Sequence, residues 1–233
     1  PGVIRSCMAP FGASSPVRQR PVECVLETIV APEQLVADDK GRRTEDATLN
    51  GTGGLGLERF LVLRRVRELQ DLRGIESHGI GRLKYYYDRI RAGVQSTRTE
   101  VEIVQEAETT AVLDGHHGMG HVIAHRAMRM AIEKARRYGL GAVAVRNGTH
   151  YGIAGYYPLM AAREGMMGLS VTNARPAIAP TLGTEPMLGT NPIAFAAPSD
   201  MGYPFCFDGA TSISQRGKIE RAARADKPGP EGW

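Results

Sequence analysis

Cysteine is scarce. Cys7, Cys24 and Cys206 are the only three in 233 residues. They form no CxxC pair and no even framework, which argues against a disulfide-stapled scaffold or a thiolate zinc site and makes a reducing cytoplasm the expected compartment. Long apolar runs are lacking too: no stretch approaches the ~20 residues that span a bilayer, so no membrane partner is expected. Residues 1–5 lack the apolar core of a secretory signal. Aromatic residues make up only 6% of the chain. Too few of them flank basic residues to build a stacking platform, so nucleic acid is not an expected partner. A dominant charge is also missing, with 29 basic against 25 acidic residues and a net charge of +4. The one locally basic run, residues 59–73, reads as a solvated helix face.

What remains is ordinary globular material, 42% hydrophobic and 23% charged, enough for one large domain or two small ones. Residues 1–57 show no sustained period and read as an irregular N-terminal segment. Gly51, Gly53 and Gly56 formally spell GxGxxG, but a polar run precedes them where a buried strand is required, so a linker is expected there. Helices are predicted over residues 58–72, 77–92 (Ser77 as N-cap, Gly93 as stop), 120–138 (closed by Gly139) and 153–164, the last distorted at Pro158. Strands are predicted over 101–105, 110–113, 141–146, 166–172, 193–197 and 204–207. This order predicts an α/β chain of α+β type, with a mixed, largely antiparallel sheet covered by helices. The expected organisation is an N-terminal segment (1–57), a helical substrate-side part (58–100) and a sheet-bearing part (101–233).

Three small-residue turns stand out beside strand-like runs: Asn147-Gly148-Thr149-His150-Tyr151-Gly152, Gly189-Thr190-Asn191-Pro192 and Asp208-Gly209-Ala210-Thr211-Ser212. Small residues let backbone approach a ligand closely, and His150 offers a proton near neutral pH. Displayed at a strand-to-helix turn, His150 is a candidate acid/base; the plainer reading is a turn histidine bonded to backbone. Asp208 could bond a ribose or an amide, or merely cap a turn.

The second helix carries two stripes. Ile80, Leu83, Tyr87 and Ile90 are expected to face the core, while His78, Arg82 and Tyr86 recur every fourth residue on another face. That trio could hold a small carboxylate or form a solvated face, and spacing alone leaves both open. His117, His121 and His125 recur on the next helix, with His116 beside them. Histidines four apart can share a metal, but no Cys or HExxH pattern completes a site, so His121 and His125 are expected on a wet face and no metal site is assigned.

Gly74-Ile75-Glu76-Ser77-His78-Gly79 with Arg82 and Tyr86, the turn holding His150, Thr172-Asn173-Ala174-Arg175-Pro176, and the 189–192 and 208–212 turns together resemble the malate/L-lactate dehydrogenase family. That family also contains ureidoglycolate, sulfolactate and diketogulonate enzymes and a cyclic-imine carboxylate reductase. The resemblance runs from about residue 72 to residue 233. It implies a non-Rossmann nicotinamide-binding fold behind a helical N-terminal part, a homodimer, and NAD- or NADP-linked hydride transfer at the alpha carbon of a small 2-hydroxy or 2-oxo acid. By position, His150 and His78 match proton donors and acceptors, and Arg82 and Tyr86 match substrate-side residues. Asn173, Ala174, Gly189, Thr190, Asn191, Asp208, Gly209, Ala210, Thr211 and Ser212 match positions around the cofactor. Gly148 replaces a usual serine and Gly209 a common methionine. Family members also continue beyond the equivalent of residue 233, so the nicotinamide-binding part is expected to be incomplete. Two other readings are weighed against this one: a metal-dependent hydrolase or lyase using the helix histidines, and a non-catalytic fragment that keeps a nucleotide cleft.

Overall fold

The computed structural model describes residues 24–32, 63, 64, 66, 69, 72–75 and 78–230. The linker over 50–56, the cap at Ser77 and most of the helix over 58–72 lie outside the described residues, although residues 63, 64, 66, 69 and 72 are helical. In chain order the elements are β1 (Cys24–Pro32), a 3-10 turn (Ile80–Arg82) leading into α1 (Leu83–Arg91), β2 (Glu102–Glu106), β3 (Thr110–Asp114), α2 (Gly120–Tyr138), β4 (Gly141–Gly148), α3 (Tyr156–Ala162), β5 (Met166–Thr172), β6 (Ile193–Ala197), β7 (Phe205–Gly209) and α4 (Arg216–Arg224).

The seven strands form one sheet in the order β2-β3-β4-β1-β5-β6-β7. Among the described strands only β3 and β4 run parallel, because α2 carries the chain between them; the other five pairings are antiparallel. The mixed, largely antiparallel sheet is therefore as expected. Alternation along β4 and β5 buries every second residue, including Val143, Val145 and Ser170. α2 packs over β4, β3 and β1, α3 packs over β5 and β6, and the two helices touch each other. Tyr157, Leu159, Ile123, Met128 and Ala131 fill the space beneath them. α2 ends where the sequence says it should, since Gly139 takes φ 81°, a left-handed stop that suits glycine.

Four expectations need correction. Residues 1–57 are not wholly irregular: Cys24–Pro32 is a central strand, pairing Leu26 with Val145 on one side and with Thr172 on the other. Its β-branched run (Val25, Thr28, Ile29, Val30) favours extension, but the partners lie over 100 residues away and nothing local announces them. α3 starts later than predicted, at Tyr156. Pro158 sits in its first turn, where its missing N–H has no intrahelical partner to lose, so it does not distort the helix interior. α4 was not predicted. The stripes of α1 are exchanged: Ile80 is 65% exposed, with Leu83 and Tyr87 also exposed, while Tyr86 is only 4% exposed. A periodic stripe marks a helix, but tertiary packing chose the other face to bury.

Candidate active site

The turn carrying His150 is held from beneath by Asp114, at the end of β3. Its carboxylate accepts hydrogen bonds from Arg146 Nε (2.8 Å), Asn147 Nδ2 (2.9 Å) and the His116 N–H (2.9 Å). Burial alone would raise this carboxyl's pKa, but the donors outweigh it and hold the group ionised below its usual range. The bond to Asn147 also fixes that residue at φ 52°, a conformation asparagine tolerates, and this turns the chain out of β4.

Two residues later, Thr149 Oγ1 accepts the Gly120 N–H (2.9 Å) and donates to the Gly118 carbonyl (2.7 Å), tying the start of α2 to the turn. A side chain at Gly120 would collide with the carbonyl oxygens of Thr149 and His150. This close approach is what brings His121, on α2, beside the His150 turn.

His78, Arg82, Tyr86 and His150 converge. The His78 and His150 rings stack with centroids 5.4 Å apart. The Tyr86 hydroxyl lies 2.7 Å from His150 Nδ1 and 3.4 Å from His121 Nε2. Burial, then the Arg82 charge, lowers His78 to about 4. Burial first, then His78, His121, Arg82 and Arg89, pulls His150 well below its ordinary range. Both rings are therefore neutral at pH 7. Arg82 itself is mostly covered, with Nη1 3.6 Å from a carboxylate oxygen of Glu220 on α4.

The face of α1 that could have been merely solvated is thus part of a buried cluster. The expectation of a wet face for His121 is overturned, since the residue is 0% exposed. It sits against Tyr86, a partner that only the tertiary fold supplies. His125 Nδ1 lies 3.3 Å from the Tyr156 hydroxyl, and His116 pairs with Glu102. His116 and His117 precede α2 rather than lying on it, and the two histidines on the helix, His121 and His125, face different phenols. Among the described residues no group of three His, Cys, Asp or Glu is placed to hold a metal ion.

Beside His78 a cleft of about 330 Å³ opens, lined also by Gly152, Ile153, Thr190, Pro192, Asp208, Ala210, Lys218 and Arg221. Of the predicted cofactor residues, Thr190, Asp208 and Ala210 line this cleft. Asn173 and Ala174 follow β5, and the Ala174 N–H donates to Asn191 Oδ1 (2.8 Å). A Cβ at Gly189 would strike the Ala174 carbonyl and Asn191 Oδ1, so glycine is required there. Thr211 donates from both its N–H and its hydroxyl to the Thr190 carbonyl, joining the 189–191 and 208–212 turns. Asp208 and Gly209 lie within β7, and Ser212 Oγ donates to the Ser214 carbonyl. Burial raises the Asp208 pKa against the opposing Gly155 N–H and Arg73 charge. Lys218 and Arg221, on α4, were not foreseen, because the helix bearing them was not. A second cleft of about 340 Å³, lined by Glu106, Glu133, Lys134 and Arg137, contains none of the predicted site residues. Its Lys134 ammonium is already bonded to Glu106 and the Ala107 carbonyl.

The fold is shared with a family of oxidoreductases. The model for malate/L-lactate dehydrogenase matches residues 65–233, and the chain belongs to that family. It is 55% identical over 165 residues to a malate dehydrogenase of Pyrococcus abyssi, covering 71% of this chain and 45% of that protein. It is 47% identical over 161 residues to an L-sulfolactate dehydrogenase of Methanothermobacter thermautotrophicus, covering 69% of this chain and 47% of that protein. Among solved structures, malate dehydrogenase from Entamoeba histolytica superposes with a TM-score of 0.71 at 51% identity, over 74% of this chain and 48% of that one. The chain thus spans about half the length of the relatives it matches.

Proposed function

We propose that the protein is an oxidoreductase that interconverts a small 2-oxo acid and its 2-hydroxy acid with NAD or NADP. The observation that carries this reading is the stacking of His78 on His150 with the Arg82 charge beside both, next to a cleft walled by glycine-containing turns. The wall fits a dinucleotide. The Gly189 cradle admits backbone-close contact, Thr190, Asp208 and Ala210 offer polar groups to a ribose or amide, and Lys218 and Arg221 supply cations for phosphates. Asn173, Ala174, Asn191, Gly209, Thr211 and Ser212, in the turns that carry Gly189, Thr190, Asp208 and Ala210, are the further candidates for contact with the dinucleotide. When bound, the nicotinamide supplies the hydride.

The chain's own residues do the rest. Arg82 grips the substrate carboxylate, for which a guanidinium fork is the matching shape, displacing its contact with Glu220. The substrate carboxylate offsets the Arg82 charge that helps depress His150, so the ring takes up a proton as the 2-oxo acid binds and returns it as negative charge grows on the substrate oxygen, a contribution of typically about 10²–10⁴-fold. His78, stacked on His150, shields it from water and shares the cavity as the other candidate donor. Residues 58–100 act as the substrate-side part and 101–233 as the nicotinamide-binding part. The family resemblance favours a homodimer, which light scattering would test, and cysteine scarcity favours a reducing compartment.

The direct test is loss of NADH or NADPH absorbance with oxaloacetate, pyruvate or a sulfonated 2-oxo acid. Turnover that His150→Ala reduces about 10²–10⁴-fold supports the reading. Tight dinucleotide binding without turnover would instead indicate a non-catalytic unit, and the absence of both binding and turnover would refute the reading.

A further inference from the structure

We propose that Arg89 is a specificity-determining residue: it holds a second anionic group of the substrate and so favours 2-oxo acids that carry a carboxylate or sulfonate at their far end. This deepens the 2-oxo acid reading given above and rests on it, although the observations behind it are separate. Arg82 and Arg89 stand seven residues apart, close to two helical turns, which puts both on one face of the segment that begins at Ile80. Tyr85 lies between them, with the Arg82 guanidinium 5.7 Å and the Arg89 guanidinium 5.5 Å from its ring centroid. The same ring meets His150 edge-on, the centroids 6.3 Å apart. Both guanidinium charges reach His150, where each helps to lower the pKa of the ring.

The two cations are not equally provided for. Arg82 meets Glu220, whereas among the described residues no hydrogen bond or ion pair reaches the Arg89 side chain, and its Nε is buried without an acceptor. A cation in the last turn of a helix gains from the helix dipole, and Tyr85 adds a cation–π contact. Neither contact satisfies N–H donors, and an arginine serving only those two keeps its donors in water. A guanidinium fork with unmet donors, beside a histidine that exchanges a proton with substrate, is instead matched to an oxyanion. The distances to the Tyr85 centroid keep the two guanidinium carbons no more than about 11 Å apart. With an anion bonded to each fork at about 2.8 Å, the space left between the anions suits a short skeleton of roughly three or four carbons. The second anion also offsets a further charge that opposes protonation of His150, so it assists the proton transfer as well as the binding.

The test compares acids that differ in the second anion. Turnover of oxaloacetate and of 3-sulfopyruvate is measured against that of 2-oxobutyrate, which puts a methyl group where oxaloacetate has its second carboxylate. In the unaltered protein kcat/KM should favour both dianions. Arg89→Gln should cut the ratio of oxaloacetate to 2-oxobutyrate about 10–100-fold, chiefly through KM for the dianion, as loss of a charge-assisted pair does. The ratio for 3-sulfopyruvate should fall in parallel, and Arg89→Lys, which keeps the charge, should recover part of both. Ratios that stay fixed, whether or not all rates fall together, would overturn the proposal. Weaker NADH or NADPH binding with the ratios intact would assign Arg89 to the cofactor and overturn it equally. If Arg89→Gln does not fold, Arg89→Met, which keeps the apolar stem over Tyr85, decides. A second arm needs no reaction: succinate and butyrate, unreactive acids of equal carbon number, are titrated against the amide spectrum of the His150 turn. Tighter binding of succinate, abolished by Arg89→Gln, would uphold the anion site even where no 2-oxo acid is turned over, and the proposed function alone would then fail. Turnover with no preference for the dianions would overturn this proposal and leave the proposed function standing.

Discussion

The two walls of the cleft are built on different terms. The histidine wall is packed and bonded throughout: Asp114 holds the turn with three donors, Thr149 ties it to α2, and Tyr86 and His121 lie buried behind His150. The opposite wall is loops and edge. The 173–191 connection is largely exposed, with Leu182, Met187 and Leu188 in solvent, and Phe205, Phe207 and Ile213 are exposed on and after the edge strand β7. Groups that exchange a proton must be placed before the substrate arrives, and packing achieves that. A surface that receives a large polar ligand can instead offer backbone and small side chains, whose partners arrive with the ligand.

Substitutions should therefore act very differently on the two walls. The largest effect is expected from Gly120→Val, whose side chain has no room against the His150 turn. It should cost about 3 kcal/mol, read from the urea midpoint. Retention of full stability would mean the turn and helix are not locked together. Asp114→Ala should cost about 2 kcal/mol by leaving the Arg146, Asn147 and His116 donors unmet, measured the same way. Acid gives an intermediate effect. The folded His78 has a pKa near 4 against 6.5 for the free group, so the unfolded chain takes up protons that the folded one refuses. Stability should be full above pH 6.5 and decline as pH falls from 6.5 towards 4, and His78→Gln should flatten that slope in thermal melts. The smallest effect is expected on the loop side. Lys218→Ala should leave the melting temperature unchanged and weaken NADH or NADPH binding about three- to fivefold, as loss of an exposed charge contact does.

What the sequence disclosed follows the same division between local and distant causes. α2 and its stop at Gly139 were legible because the helical period and the left-handed glycine are written in consecutive residues. The alternation of β4 and β5 was legible for a similar reason. The central strand at Cys24–Pro32 was not, since its pairing with β4 and β5 is a fact about residues far along the chain. The His78, Arg82, Tyr86 stripe was visible as a stripe, but which side of α1 would be buried depended on His121 and His150 arriving against it. His121 was misread on the same ground: a histidine on the polar side of one helix is buried once another helix supplies a phenol to cover it.

The central claim is that these two walls meet around one transferred hydrogen. Incubating the protein with a 2-oxo acid and NADH or NADPH deuterated at C4, then examining the product by mass spectrometry and proton NMR, tests it most directly. One deuterium at the alpha carbon of the 2-hydroxy acid, delivered from one face of the nicotinamide, is the predicted result. A 2-hydroxy acid that forms without deuterium at that carbon would contradict the account.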